Sequence, residues 1–194
     1  MRKLIVHEFV TLDGIMQAPG GPDEDRDGDF THGGWTGPYW HDEIGATFGT
    51  LMQGVDAFLL GRRTYVTHAQ AFEPMQPGDP FGDMMNAPAK YVVSSTLDTP
   101  IWRGTTIIRD DVVGRVRALK AGAGKTILTD GSSQLVHPLL QNGLVDELYL
   151  DVHPLALGRG KRVFPATGID CRFTLAKATH YPTGVVGLHY TRAA

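Results

Sequence analysis

Residues Val55 to Phe72 read "VDAFLLGRRTYVTHAQAF". The first part, Val55 to Gly61, is apolar almost without alternation, the pattern of a strand covered on both faces. The second part, Arg62 to Phe72, reads as a short helix. A buried strand that passes into a helix across one glycine is the joint of a βα unit, and repeated joints of that kind build a parallel sheet. The chemistry at this joint is unusual. Arg62 and Arg63 stand at a helix N-terminus, where the helix dipole favours anions and disfavours cations. Either they face water or a local carboxylate, or they await an anion such as phosphate.

The same alternation continues on both sides. Lys3 to Val10 is a first strand, apolar enough to be central, and it ends in a turn at Asp13-Gly14. A helix follows, with Trp40, Ile44, Phe48 and Leu51 on one face, and Gly54 stops it. Beyond the Arg62–Phe72 helix come a strand in "AKYVVSSTL" (Ala89–Leu97), ending at Ser94-Ser95-Thr96, and a strand at Thr105–Ile108, and then a helix with Val112, Val113, Val116 and Leu119 inward. Another strand meets a glycine turn, and Leu135, Val136, Leu139 and Leu140 form the stripe of the next helix. A strand carrying Leu148, Leu150 and Val152 precedes a closing hairpin around Pro182-Thr183-Gly184. The expected fold is α/β in a single domain over 1–194, with a mostly parallel central sheet flanked by helices and an antiparallel C-terminal edge hairpin.

Two stretches resist assignment. Ala18 to Pro38 is rich in glycine, proline and acid, yet holds Phe30 and Trp35, with Tyr39 just beyond. It reads either as a mobile surface insertion or as a lid or wall over a site. Its acidic residues Asp23, Glu24, Asp25, Asp27 and Asp29 read as a solvated face. Asp79 to Asn86 reads as irregular and pocket-shaping.

Composition narrows the function. The 194 residues support one substantial core. Net charge is −3 and basic residues form no dense run, which argues against nucleic acid. The single Cys171 excludes an internal disulfide framework and a zinc ribbon. His32, His41 and His68 have no zinc-ligand spacing with it, so no metal is expected. No apolar stretch is long enough to span a membrane, and no signal core forms at the start, so a cytoplasmic protein is expected.

In an open parallel sheet, ligands gather beyond the carboxyl ends of the strands. Three ends here carry phosphate-compatible groups: Gly61-Arg62-Arg63-Thr64, Ser94-Ser95-Thr96 and Asp130-Gly131-Ser132-Ser133. Glycine admits close backbone approach, hydroxyls donate hydrogen bonds, and arginine matches phosphate as a fork. Each alone also has a local explanation such as helix capping. At successive strand ends they point to an elongated, phosphate-rich ligand such as a dinucleotide. The usual G-x-G-x-x-G fingerprint is absent. "AGAGKT" is no phosphate loop, because Leu119 stands where its first glycine would be. A serine-hydrolase elbow is also absent.

The chain resembles the reductase domain of bacterial riboflavin biosynthesis and its stand-alone relatives, which share the dihydrofolate reductase fold. "TLDG" (Thr11–Gly14), "LLGRRTY" (Leu59–Tyr65), "KYVVSSTL" (Lys90–Leu97) and above all "GLVDELYLDVHPLALGRGKRVF" (Gly143–Phe164) carry the resemblance. It implies an NADPH-dependent reductase of a small heterocyclic, carbonyl or imine substrate. By resemblance Gly61, Arg62, Arg63 and Thr64 take cofactor phosphates, and Ser94, Ser95 and Thr96 lie near the adenosine ribose and its extra phosphate. Gly131, Ser132 and Ser133 embrace the pyrophosphate, and Gly14 and Ile15 border the nicotinamide together with Asp13. Dihydrofolate reductases have paired glycines where this chain has Asp130-Gly131, and Asp130 is expected to turn aside. Asp13 is the leading catalytic or substrate-facing candidate, against a role in fixing its own turn. Dihydrofolate reductases carry an acidic residue facing the pterin on the helix after the first strand, and this chain has Asp42 and Glu43 there, nearer the helix start, with neither assigned. A homodimer is expected, with the Leu148–Val152 strand and the final hairpin offering an edge. The alternatives are a nucleotide-binding protein without chemistry of its own and an interaction protein with a vestigial cleft.

Overall fold

The structure is a computed structural model and describes residues 1–193. Eight strands form one sheet in the order β4-β3-β2-β5-β1-β6-β8-β7. These are β1 (Leu4–Thr11), β2 (Val55–Gly61), β3 (Ala89–Val93), β4 (Thr105–Ile108), β5 (Thr126–Asp130), β6 (Glu147–His153), β7 (Phe173–His180) and β8 (Val186–Arg192). The first six pair in parallel, and β8 runs antiparallel between β6 and β7. β6 is thus enclosed by β1 and β8 and offers no edge, contrary to expectation. The free edge on that side is β7.

Alternation along β1 divides the core. Leu4, Val6 and Val10 face α4 (Val112–Ala121) and α5 (Ser133–Gln141), packing with Val116, Leu135, Val136 and Leu139. Ile5 faces the other layer, where α1 (Asp42–Met52), α2 (Arg62–Phe72) and α3 (Pro80–Asn86) contribute Met52, Tyr65, Ala69 and Met85. Full burial of each such side chain stabilises by about 1.5–3 kcal/mol. The α5 stripe expected from sequence is buried throughout. No helix is long and apolar enough to cross a membrane among the described residues.

Two local readings change and one open alternative is resolved. Trp40 lies outside α1 and is half exposed, because His41 caps that helix, its Nδ1 accepting the Glu43 amide at 3.3 Å. The Asp79–Asn86 stretch is not irregular. Asp79 accepts the Gly82 amide at 2.7 Å and Pro80 occupies the first turn, so α3 forms there. The Ala18–Pro38 segment is a packed wall. Phe30 and Trp35 are buried, and the Trp35 indole donates to the Gln17 carbonyl at 2.8 Å.

Candidate active site

The ladder between β1 and β5 ends at the pair His7–Asp130. β5 turns into α5 there, while β1 continues beside β6 to the pair Thr11–His153. The sheet therefore has a notch at the carboxyl end of β5, open to side chains from both faces of β1. A cavity of about 1150 Å³ occupies this notch and runs across the ends of β2 and β3. That is slightly larger than the usual small-molecule site.

The cavity wall brings together ten of the thirteen residues singled out in the sequence: Gly61, Arg62, Arg63 and Thr64; Ser94, Ser95 and Thr96; Gly131, Ser132 and Ser133. The first and third groups are physically joined. Ser132 Oγ accepts the Gly61 amide at 2.9 Å and donates to Thr64 Oγ1 at 3.0 Å. Gly131 and Ser132 both hold the left-handed conformation, at φ +68° and +67°. A Cβ on Gly131 would stand 3.0 Å from the Thr64 side chain. For serine this backbone is strained by about 1–2 kcal/mol, and it keeps the hydroxyl bridging two loops. Ser132→Ala is therefore expected to cost about 1 kcal/mol in urea unfolding, by stranding the Gly61 amide. Ser132→Gly, which takes the same φ without strain, is expected to cost less. Equal stability of Ser132→Ala and wild type would show that the bridge contributes nothing.

The two arginines differ. Arg63 is committed to the wall segment. Its guanidinium pairs with Asp27 and lies 3.9 Å from Asp25, and Lys161 binds Asp25 at 2.5 Å and Asp27 at 3.1 Å. The Arg63 and Lys161 charges hold the Asp27 carboxyl down at about 2. The acidic run is therefore not a solvated face throughout: two of its members strap the segment to α2. Arg62 lines the cavity and makes no hydrogen bond or ion pair among the described residues.

Asp13, Gly14 and Ile15 are not on the cavity wall. The Asp13 carboxylate accepts from the Thr11 hydroxyl at 2.6 Å and from the Leu157 and Gly158 amides at 3.2 and 2.8 Å. The Thr11 bond, with those amides, lowers its pKa against a small burial cost. It is an anion that fixes its own turn and the loop after β6. Ile15 is fully buried against Phe30. Asp42 and Glu43 are exposed and also lie off the wall.

Sequence reasoning missed the buried ionisable cluster at the base of the notch. His7 is 4% exposed. Its Nε2 is 3.1 Å from Asp151, and its Nδ1 is 3.8 Å from Asp130, an ion-pair distance beyond hydrogen-bond reach. Burial opposes a charged imidazole, but Asp130 and Asp151 outweigh it and hold the His7 pKa up at about 9. His68 reaches Asp130 from α2 at 3.1 Å. Burial works against the Asp130 charge as well, yet the two histidines keep its carboxyl well below the usual range. Asp130 thus faces histidines, consistent with its turning aside from the glycine corner. The overlooked signal lies in "LIVHEFV": two adjacent ionisable residues inside a central strand.

Residues 2–187 match the RibD C-terminal domain. The chain belongs to that family. Among curated relatives, protein YyaP of Bacillus subtilis (strain 168) is 26% identical over 196 residues, covering 97% of this chain and 94% of YyaP. Among solved structures, Acinetobacter baumannii RibD superposes with a TM-score of 0.68 at 14% identity, covering all of this chain and 59% of that one. A dihydrofolate reductase from Enterococcus faecalis, complexed with NADP(H), superposes with a TM-score of 0.63 at 15% identity, covering 99% and 97%. The fold of this RibD C-terminal domain is accordingly dihydrofolate reductase-like.

Proposed function

We propose that this protein is an NADPH-dependent reductase of a small heterocyclic, carbonyl or imine substrate. The observation that carries the reading is the convergence of three successive strand ends on one elongated cavity, each bringing hydroxyls or glycine and one bringing an unpaired arginine. The donor set fits a dinucleotide. Arg62, Thr64 and the α5 N-terminus at Ser132-Ser133 would hold its phosphates. Ser94, Ser95 and Thr96 would hold its adenosine end. Bound there, the cofactor supplies the hydride.

The remaining residues position and shield. Trp40, Phe48 and Phe72 also line the cavity and offer aromatic surface to a planar ring. Ala18, Pro19 and Gly20 of the strapped segment line the cavity and reduce the access of water. The family relationship supports the reductase class. The neighbour complexed with NADP(H) supports the cofactor. For pairing of two copies we assign the free edge strand β7, where Leu175 is half exposed.

Calorimetric titration of the full chain with NADPH and with NADH tests the reading. Saturable NADPH binding, followed by loss of nicotinamide absorbance in a screen of heterocyclic imines and carbonyls, is the expected result. Binding without turnover of any substrate would leave a nucleotide-binding protein. No binding by the folded chain would remove the reductase reading.

A further inference from the structure

Glu8 follows His7 on β1, one residue past the last rung shared with β5. It lines the cavity and is 3% exposed. Its Oε2 accepts the Gly131 amide at 3.1 Å. Its Oε1 is buried and has no hydrogen-bond partner among the described residues. No lysine, arginine or histidine pairs with it there.

The surroundings oppose a charge on this carboxyl. Burial is the largest influence and the Asp130 charge on β5 adds to it, with the single Gly131 bond pulling the other way. Together they raise its pKa well above the ordinary range. On the β6 side its register partner is Leu150, which is apolar. The neighbouring His7 points to the opposite face of β1, where Asp130 and Asp151 engage it. These surroundings favour the neutral, protonated form of the Glu8 carboxyl. With Oε2 accepting an amide, a protonated Glu8 would carry its hydrogen on Oε1, for which the described residues provide no acceptor. That oxygen is left for an acceptor from outside the chain, such as a ligand atom.

We propose that Glu8 is the proton donor of this cavity, delivering the hydrogen on Oε1 to the nitrogen or oxygen of the substrate double bond that is reduced. The assignment rests on the reductase reading. As the substrate carbon takes up hydride from the reduced nicotinamide, the π pair of its C=N or C=O bond moves to the heteroatom. The Glu8 O–H bond breaks and that pair takes the proton. Glu8 is left as a carboxylate and regains a proton from water when the product leaves.

The test compares wild type with Glu8→Gln, which keeps the shape and the Gly131 bond, and with Glu8→Asp, which keeps the acid. The first arm needs no substrate: infrared difference spectra of wild type against Glu8→Gln from pH 5 to 9. A protonated-carboxyl band present in wild type at pH 7, and absent from the variant, is expected. Absence of that band from wild type at pH 7 would overturn the proposal. The second arm uses NADPH and, as probes, dihydrofolate and small cyclic imines. NADPH binding should persist in Glu8→Gln, while kcat on a probe that wild type reduces falls by about 10²–10⁴-fold. Glu8→Asp should restore part of it, and wild-type kcat should fall at alkaline pH. Unchanged kcat in Glu8→Gln would overturn the role of Glu8 and leave the reductase reading standing. Failure of wild type to bind NADPH would instead remove that reading, and the proton-donor role with it.

Discussion

Asp130→Ala is expected to lower the unfolding free energy by about 3 kcal/mol at pH 6, the low end for stranding a buried charge. The remaining Asp151 bond to His7 keeps the cost from rising further. pH dependence supplies the check. The His7 pKa rises from 6.5 to about 9 on folding, which corresponds to roughly 3 kcal/mol. Below pH 6.5 the imidazole is charged in the folded and unfolded chain alike, and the contribution is whole. Above 6.5 the unfolded chain releases the proton while the fold retains it, so stability falls until pH passes about 9. On the acid side the lowered Asp130 carboxyl contributes above its unfolded value of 3.8, and that contribution is lost as pH falls toward its folded one. Urea unfolding at pH 6 and pH 9 should show a large alkaline loss in wild type and a smaller one in Asp130→Ala. Equal losses in the two proteins would mean that His7 does not depend on Asp130 for its proton.

Arg62→Ala is expected to weaken NADPH binding about ten- to hundredfold, the range of one charge-assisted hydrogen bond. Its stability should stay within about 0.5 kcal/mol of wild type, because the Arg62 side chain makes no hydrogen bond or ion pair among the described residues. Its affinity should also depend less on salt. Arg63→Ala is expected to behave differently. Arg63 already holds Asp27, so its loss should loosen the segment from Ala18 to Thr36 and speed amide exchange there, with the smaller effect on affinity. Calorimetry at two salt concentrations, with hydrogen exchange of the Ala18–Thr36 amides, separates the two. Equal affinity losses without change in that segment would contradict the distinct roles assigned to the arginines.

The sequence made the layers of the fold legible wherever the controlling interactions are local. The Gly61 joint, the α5 stripe and the terminal hairpin stand where hydrophobic periodicity and turn residues place them. The same holds for the ten cavity residues, since the carboxyl ends of parallel strands lie together in any sheet of this kind. Other features depend on distant partners. The helix α3 is announced only by Asp79-Pro80, a cap and first-turn pair that its glycine-rich surroundings obscure. Arg63 meets Asp27 across 36 residues, and no spacing in the chain encodes that. Asp13 looked available because a turn carboxylate reads the same whether it faces a ligand or its own backbone, and the Leu157 and Gly158 amides that occupy it lie beyond β6. His7 and Glu8 were visible as an anomaly in a central strand. Their opposite fates, one held toward charge between two carboxylates and the other pushed toward neutrality with an unpartnered oxygen, depend on where β5 stops.

The central claim is that the ends of β2, β3 and β5 jointly hold a dinucleotide. Amide hydrogen exchange of the full chain, with and without saturating NADPH, tests it most directly. The account predicts slowed exchange at Gly61–Thr64, Ser94–Thr96 and Gly131–Ser133 together, with β7 unchanged. No slowing at these three segments at saturating NADPH, or slowing confined to another surface, would contradict it.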